Sequence, residues 1–422
     1  MRIAPDYLGT LAERLEAGVV TISATNGKTT TAAMLNTILA HDTTVCRNAA
    51  GANLVSGIAT TLVHCPADAR VGVLEVDEAA LPIVAASVRP RVMVLGNLFR
   101  DQLDRHGELE LVADRWRTMV AGLDPQVTLV LGADDPAIDA LAGTRGQIFR
   151  FGIDDPAVAL PSRDAAADST FCVYCGAAYH YDAMYLGHLG AYSCPRGDHQ
   201  RGALDFAARA VRLDGVRGSV FRLDAPDGSS QVVLPLPGLY NVENALAAIA
   251  AAFALGVPSA LASQRLAAFA AAFGRFERIA IDGREAVLLL IKNPTGANEA
   301  LRAIAADLAG NQVVVALNDG VADGRDVSWI WDIDLEGLLE PAAGVICSGT
   351  RAVELELRLR YADLDDARVG RVADVETAVG AAIDATRDGG EVYVLATYTA
   401  MLEIQRALTR RGLTQPYWKT ER

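Results

Sequence analysis

Lysine is nearly missing from this chain. Of its 38 basic residues only three are lysine: Lys28, Lys292 and Lys419. In a chain that otherwise uses arginine, a retained lysine marks a place suited to a compact point charge rather than a planar fork. A basic excess is missing too. The 52 acidic residues give a net charge of −14, which argues against a nucleic-acid partner. No apolar run spans a membrane: the longest uncharged stretch, Asn244–Gln264, is Ala-rich and broken by Gly256-Val257-Pro258, so it reads as a buried helix and its end. Met1–Leu11 lacks the apolar core of a signal peptide. Six cysteines, three of them clustered, do not make a secreted disulfide framework. These absences point to a cytoplasmic protein.

What is present is organised around Val19–Thr31, VVTISATNGKTTT. The β-branched run Val19, Val20, Ile22 predicts a buried strand, Thr25-Asn26-Gly27 a turn, and Thr29–Ala40 a helix with Met34, Leu35, Ile38 and Leu39 on its apolar face. Strand, glycine turn, lysine and helix make a phosphate cradle: helix-start N–H groups and dipole face the anion, and Lys28 adds charge. Thr25, Asn26, Gly27, Lys28, Thr29 and Thr30 are the candidate nucleotide-binding residues, with Thr29 where a phosphate-loop hydroxyl holds Mg²⁺. Ile22 replaces the usual first glycine, so the loop is a shortened variant. The plainer alternative is an ordinary strand–turn–helix joint.

At 422 residues, 51 % of them hydrophobic, the chain is expected to form two or three domains. Met1–Gly18 reads as a short leading helix, with no room for a complete domain before the cradle. Thr43–Cys46 is a second strand and Arg47–Ser56 a loop that could touch substrate. Val71–Ala80 is a strand ending in Glu75, Asp77 and Glu78, acids placed to hold Mg²⁺ beside a phosphate loop, with Glu75 and Asp77 on one face at strand spacing. The alternative is a solvated acidic loop. After the strand Arg91–Leu95 comes a polar cluster, Asn97–His106, in which Asp101, Asp104 and His106 are metal or phosphate candidates. Val127–Leu131 runs into the acidic turn Asp134-Asp135-Pro136. Alternating strands and helices predict a parallel sheet with helices on both faces.

Cys172–His199 reads C-x2-C-x18-C and suggests a zinc-ribbon-like insert over about residues 168–202. Cys172, Cys175 and Cys194 are clear ligands; Gly197 stands where a fourth cysteine is expected. His199 is the best substitute, with Asp198 behind it and His180 and His188 as further candidates; a ribbon without metal is the alternative. Asn241 and Asn244 open an Ala-rich helix, where they can cap it or read a base. Composition changes near Asp282-Gly283, giving domains 1–280 and 281–422. The second has the strands Ala286–Ile291, Gln312–Leu317, Ala343–Ser348 and Glu391–Ala396, Rossmann-like in pattern but without GxGxxG. Its loop 318–332 gathers Asp319, Asp323, Asp326, Asp332, Trp329 and Trp331.

ATNGKTTT, LEVDEA at Leu74–Ala79, NLFRDQLDRHGE at Asn97–Glu108, ADDP at Ala133–Pro136, GLYNVENALAA at Gly238–Ala248 and GRFE at Gly274–Glu277 resemble the Mur ligases of peptidoglycan synthesis. The cysteine insert, KNPTGANEAL at Lys292–Leu301 and NDGVADGRDVSWIWD at Asn318–Asp332 narrow the resemblance to the branch that amidates lipid II. It implies an α/β fold, a Mur ligase central phosphate-loop domain with the ribbon insert followed by a Rossmann-like C-terminal domain. It implies ATP, Mg²⁺ and structural Zn²⁺. It also implies a GatD-like glutamine amidotransferase partner and lipid II as substrate at the inner face of the membrane. By the same match Lys28 contacts phosphates, Thr29 and Glu75 hold Mg²⁺, and Asn241, Asn244 and Arg275 lie near the nucleotide. Asp326 would complete a Cys-His-Asp triad across the subunit interface. Ordinary Mur ligases hold a second metal with a carbamylated lysine, and no lysine lies between Lys28 and Lys292 to supply one. Cys46, Cys65 and Cys347 sit in no nucleophile elbow, so ammonia would have to come from a partner. The rivals are a Mur-type amino-acid ligase and a non-catalytic phosphate-loop regulatory protein.

Overall fold

A computed structural model describes residues 7–48, 51–100, 109–143, 147–162, 167–269 and 275–414, the last segment without the side chain of Arg275. In chain order the first strands are β1 (Val19–Ser23), β2 (Thr44–Arg47), β3 (Ala69–Glu75), β4 (Val92–Leu95), β5 (Thr128–Gly132) and β6 (Ile148–Ile153). A separate hairpin, β7 (His180–Leu186) and β8 (Leu189–Ser193), follows, then β9 (Phe206–Leu213), β10 (Ser219–Ala225) and β11 (Gly228–Leu234). Among the described residues nine strands form one sheet in the order β11-β10-β9-β6-β5-β4-β1-β3-β2. It is parallel from β2 to β9 and antiparallel at β9-β10-β11.

β1 is buried throughout, and its side chains alternate between two cores. Val20 and Ile22 pack with the helices Lys28–Leu39 and Leu239–Ala254. Val19 faces the opposite core, with Ile58, Leu81 and Trp116 from helices on the other side. The chain passes from β1 outward to β2, back to β3, then across β1 to β4. The sheet therefore changes direction of winding at β1, where an open α/β sheet leaves a crevice beyond its strand ends.

The second sheet contains β12 (Arg275–Ile281), β13 (Arg284–Leu290), β14 (Gln312–Ala316), β15 (Gly344–Ser348), β16 (Val369–Arg371) and β17 (Glu391–Ala396), in the order β12-β13-β17-β14-β15-β16. It too has a core on each face. The composition change at Asp282-Gly283 is a two-residue hairpin turn inside this sheet, not a link between domains. Ile281 pairs directly with Arg284, and both turn residues have positive φ, 50° and 78°. The change of sheet falls ahead of Arg275. No helix among the described residues is long and apolar enough to cross a membrane.

Candidate active site

The loops after β1, β3 and β4 meet at the crevice. The helix after β1 begins at Lys28, one residue earlier than its apolar spacing predicts. Gly27 precedes it with φ 91°, and a Cβ there would lie 2.0 Å from Asn244 Oδ1. The turn needs glycine on both counts. Gly27→Ala is expected to destabilise the chain by about 1–3 kcal/mol and to weaken nucleotide binding further by pushing Asn244 away. Urea denaturation and calorimetric titration with ADP check the two effects.

Asn244 is fixed from its other side. Its Nδ2 donates to Asn241 Oδ1 at 3.1 Å, and Asn241 Nδ2 donates to the Pro237 carbonyl at 2.7 Å. Thr31 Oγ1 donates to Asn244 Oδ1 at 3.3 Å. The two asparagines thus sit against the phosphate loop. Alanines along Leu239–Ala254 let that helix pack closely on Lys28–Leu39.

Lys28 is buried, and its Nζ lies 2.8 Å from Glu78 Oε2 while also donating to the Ala24 and Thr25 carbonyls. Burial pushes the Glu78 carboxyl up, but Lys28 and Lys292 outweigh it and hold the group below its ordinary range. Trp116 Nε1 donates to the Glu78 carbonyl at 3.0 Å and pins its backbone. β3 stops at Glu75, so Glu75 and Asp77 do not continue one strand face. Glu75 stays buried at the strand end, its backbone bracketed by the Asn48 amide at 2.9 Å on each side. Asp77 instead accepts from the Ala79 N–H at 3.0 Å and shapes the turn. Thr29 and Thr30 lie in the first turn of the helix, with Thr30 on the cleft wall.

The second domain closes on the same loop. Lys292 Nζ donates to the Thr25 carbonyl at 2.9 Å, and Asn293 Nδ2 donates to Asn26 Oδ1 at 3.0 Å. Asn293 also caps the next helix, accepting from the Gly296 N–H at 2.8 Å. The Asn97 Oδ1 atom accepts from the Asn26 N–H at 2.9 Å. Two of the three lysines therefore converge on one turn. Between the domains lies a cleft with Asn26, Gly27, Thr30 and Asn244 on one side and Phe276, Leu289, Thr295 and Glu299 on the other. A buried lysine beside a turn only glycine can form, opening on such a cleft, fits a nucleoside polyphosphate.

Other expected residues have different surroundings. Asp134 and Asp135 of the acidic turn, and Asp139 at the end of the short helix Pro136–Asp139 that follows, are buried and structural. Asp134 pairs with Arg201 at 2.7 Å, Asp139 with Arg150 at 2.6 Å, and Asp135 accepts from the Leu98 N–H at 2.8 Å. Asp101, Asp104 and His106 lie outside the described residues, as does the side chain of Arg275. Asp326 is exposed in the loop after β14, its Oδ1 accepting from the Ser328 N–H at 2.9 Å, and its hydrogen bonds to Ser328 hold it below the usual carboxylate range. The base of that loop is anchored by buried Asp323, which accepts from the Thr399 N–H at 2.8 Å.

In the insert the sulfurs of Cys172, Cys175 and Cys194 lie within 4.8 Å of one another, which fits three thiolates of a zinc site. His199 is not among them: its Nδ1 is 2.6 Å from the Tyr179 hydroxyl and its ring packs among Tyr174, Tyr179 and Tyr192. Asp198 is not among them either, although its Oδ2 lies 4.0 Å from Cys194 Sγ. His188 is fully buried against Asp135 and Phe99, and exposed His180 pairs with Asp182. Spacing placed Glu78 among the Mg²⁺ acids and Asn97 in a polar cluster, but not the contacts seen here, Glu78 to Lys28, Asn97 to the Asn26 N–H and Asn293 to Asn26, because each residue reaches the cradle from a different strand end. Glu243 was also missed, although a lone acid inside an Ala-rich apolar helix is a visible signal.

Phosphate cradle, opposed asparagines and a second α/β domain closing over them are the arrangement of a Mur ligase. The Mur ligase middle domain family matches residues 22–187, and the MurT ligase C-terminal family matches residues 290–401. A relative in Streptococcus pneumoniae, lipid II isoglutaminyl synthase (glutamine-hydrolyzing) subunit MurT, is 33 % identical over 420 residues, 97 % of this chain and 91 % of that one. The subunit of the same name in Staphylococcus aureus is 32 % identical over 368 residues, covering 86 % and 82 %. The chain belongs to the MurT family. Among solved structures, a pseudomurein peptide ligase type C from Methanothermus fervidus matches with TM-score 0.74 and 23 % identity over 95 % of this chain and 80 % of that one. MurF from Thermotoga maritima, solved with ADP, matches with TM-score 0.67 and 16 % identity over 97 % and 85 %. These two likenesses establish the fold.

Proposed function

We propose that this chain is the ATP-dependent, C–N bond-forming subunit of a lipid II isoglutaminyl synthase. Its substrate is the α-carboxylate of D-glutamate in the lipid II stem peptide, and its product is the D-isoglutamine amide. The observation that carries the reading is the likeness to a MurT subunit along 97 % of the chain, cradle and C-terminal domain alike.

The chemistry follows from charge. A carboxylate resists attack by ammonia because it is anionic and lacks a leaving group. Transfer of the ATP γ-phosphoryl group to it forms an acyl phosphate and ADP; ammonia then forms the amide as phosphate departs and a proton is lost. Lys28, drawn from its bonds with Glu78 and the loop carbonyls, is the chain's own counter-charge to the phosphates. Lys292 holds the second domain on the Thr25 carbonyl at 2.9 Å and supports the same turn. Asn241 and Asn244 position the nucleotide. Thr29 and Glu75 are the residues that would hold Mg²⁺, which when bound neutralises phosphate charge.

Ammonia is supplied by a GatD-like glutamine amidotransferase. Asp326 supports that reading: it is exposed, and the same loop presents Val321 and Trp331, 79 % and 47 % exposed. Trp331 meets Tyr361 edge to face with ring centroids 5.4 Å apart, and Tyr361 shares an exposed helix stripe with Val353 and Leu357. The complex works in the cytoplasm at the inner membrane face, where lipid II is presented. Zn²⁺ in the insert would be held by Cys172, Cys175 and Cys194, with Asp198 better placed than His199 as the fourth group. Elemental analysis should find about one zinc per chain, lost in Cys194→Ser and kept in His199→Ala. Retention in the first or loss in the second contradicts this ligand set.

ATP turnover tests the synthetase reading. Phosphate release should require lipid II and ammonium together with ATP; release that ignores lipid II contradicts it.

A further inference from the structure

The hairpin of the cysteine insert, β7 with β8, turns at Gly187-His188 between the paired residues Leu186 and Leu189. Both leucines are buried, and both line the interdomain cleft. The hairpin is fastened to the central domain on several sides. The Gly190 N–H donates to the Asp134 carbonyl at 2.8 Å, and the Tyr192 hydroxyl donates to Asp139 Oδ2 at 3.2 Å. His188 is fully buried, with Nε2 3.4 Å from Asp135 Oδ2 and its ring centroid 4.7 Å from that of Phe99. A turn buried and bonded in this way belongs to the rigid part of a fold.

Gly187 opens the turn with φ 55°, and its bare face is set between the two domains. A Cβ there would lie 2.9 Å from Phe99 Cε1 of the central domain and 3.4 Å from Thr295 Cγ2 of the second. Phe99 leads back to the phosphate loop, its N–H donating to Thr25 Oγ1 at 3.0 Å. Thr295 lies in the first turn of the helix Pro294–Ile304, just after Lys292, whose Nζ reaches the Thr25 carbonyl. A second contact repeats the arrangement. Asp168, at the start of the insert, has a side chain only 6 % exposed. It accepts from the Arg100 N–H at 2.9 Å and pairs with the Arg100 guanidinium, which also lies 3.6 Å from Asp332 of the second domain.

Relative motion is the default for two domains on one chain, and reacting groups drawn from both need a fixed separation. Lys292 and Asn293 draw the second domain onto the phosphate loop. The insert stands in the gap beside them at two points. We propose that it is the stop against which the second domain closes, with Gly187 and Asp332 as positioning residues for the synthetase reaction. The proposal rests on the ATP reading above.

Calorimetric titration of the full chain with ADP tests it. Gly187→Ala forces a methyl group into the gap and should weaken ADP about tenfold. Ammonium-driven turnover should fall by about 10²-fold, the scale of misplacing reacting groups by about 1 Å. Asp332→Ala releases the second contact and should weaken ADP about threefold. The side chains of Arg100 and Asp332 are each 42 % exposed, so this variant leaves no buried charge unpaired and carries the test even where the glycine variant fails to fold. A stop acts only while the second domain is drawn in. Made in a Lys292→Met chain, the same two changes should therefore cost less than about twofold further. Damage confined to the hairpin would cost the same in both backgrounds, and equal penalties overturn the proposal. Failure of the unaltered chain to bind ADP removes the ATP reading and the proposal with it; ADP bound equally by the unaltered chain and by both single variants removes the stop alone.

Discussion

Lys28→Met is expected to lower lipid II-dependent ATP turnover by about 10²–10³-fold, the scale of losing one preorganised electrostatic stabiliser of a developing charge. The same substitution should destabilise the fold. Lys28 and Glu78 side chains are each 9 % exposed and 2.8 Å apart, so removing the lysine leaves a buried carboxylate without its ion-pair partner. Breaking such a pair costs about 3–5 kcal/mol. The two losses separate in the double variant. Lys28→Met with Glu78→Gln removes both charges and should recover much of the stability, measured by urea denaturation, while turnover stays low. Because Glu78 titrates below its ordinary range, its contribution is present at neutral pH and is lost only as acid takes the pH down through that lowered value. A double variant with restored turnover would show that Lys28 is structural.

Asp326→Asn is expected to divide the two half-reactions. With the amidotransferase partner present, glutamine-dependent amidation should fall by about 10³–10⁴-fold, the scale on which a triad acid supports its histidine. Amidation driven by added ammonium should be unchanged. The geometry favours this separation: Asp326 is exposed, and its hydrogen bond is to Ser328 of its own loop. Folding should be unaffected, since no buried partner is left behind. Equal loss of both activities would place Asp326 in the synthetase site instead.

The cradle was legible because its signals are local. A β-branched strand, a glycine turn and a lysine-led amphipathic helix occupy thirteen consecutive residues, and backbone rules alone join them. The scarcity of lysine was equally informative: it drew attention to Lys292, which meets the phosphate loop from 267 residues away. Partner choice across the crevice was not legible. Glu75, Asp77 and Glu78 look equivalent in a row, yet the strand ends at Glu75, and the turn after it aims Glu78 rather than Asp77 at Lys28. His199 looked like the fourth metal ligand by position, but an aromatic cluster around Tyr179 and Tyr192 takes its ring. Asp282-Gly283 looked like a link because hairpin turns and linkers share small and polar residues; only the strand pairing separates them.

The central claim is that this polypeptide makes a lipid-linked peptide acid reactive at the expense of ATP. Mass spectrometry of lipid II after incubation with the chain, ATP, Mg²⁺ and ammonium tests it most directly. The account predicts a product about one dalton lighter, the mass change of acid to amide, localised by fragmentation to the glutamate α-position, and absent without ATP. Lipid II of unchanged mass in the complete mixture, or the same change without ATP, would contradict it.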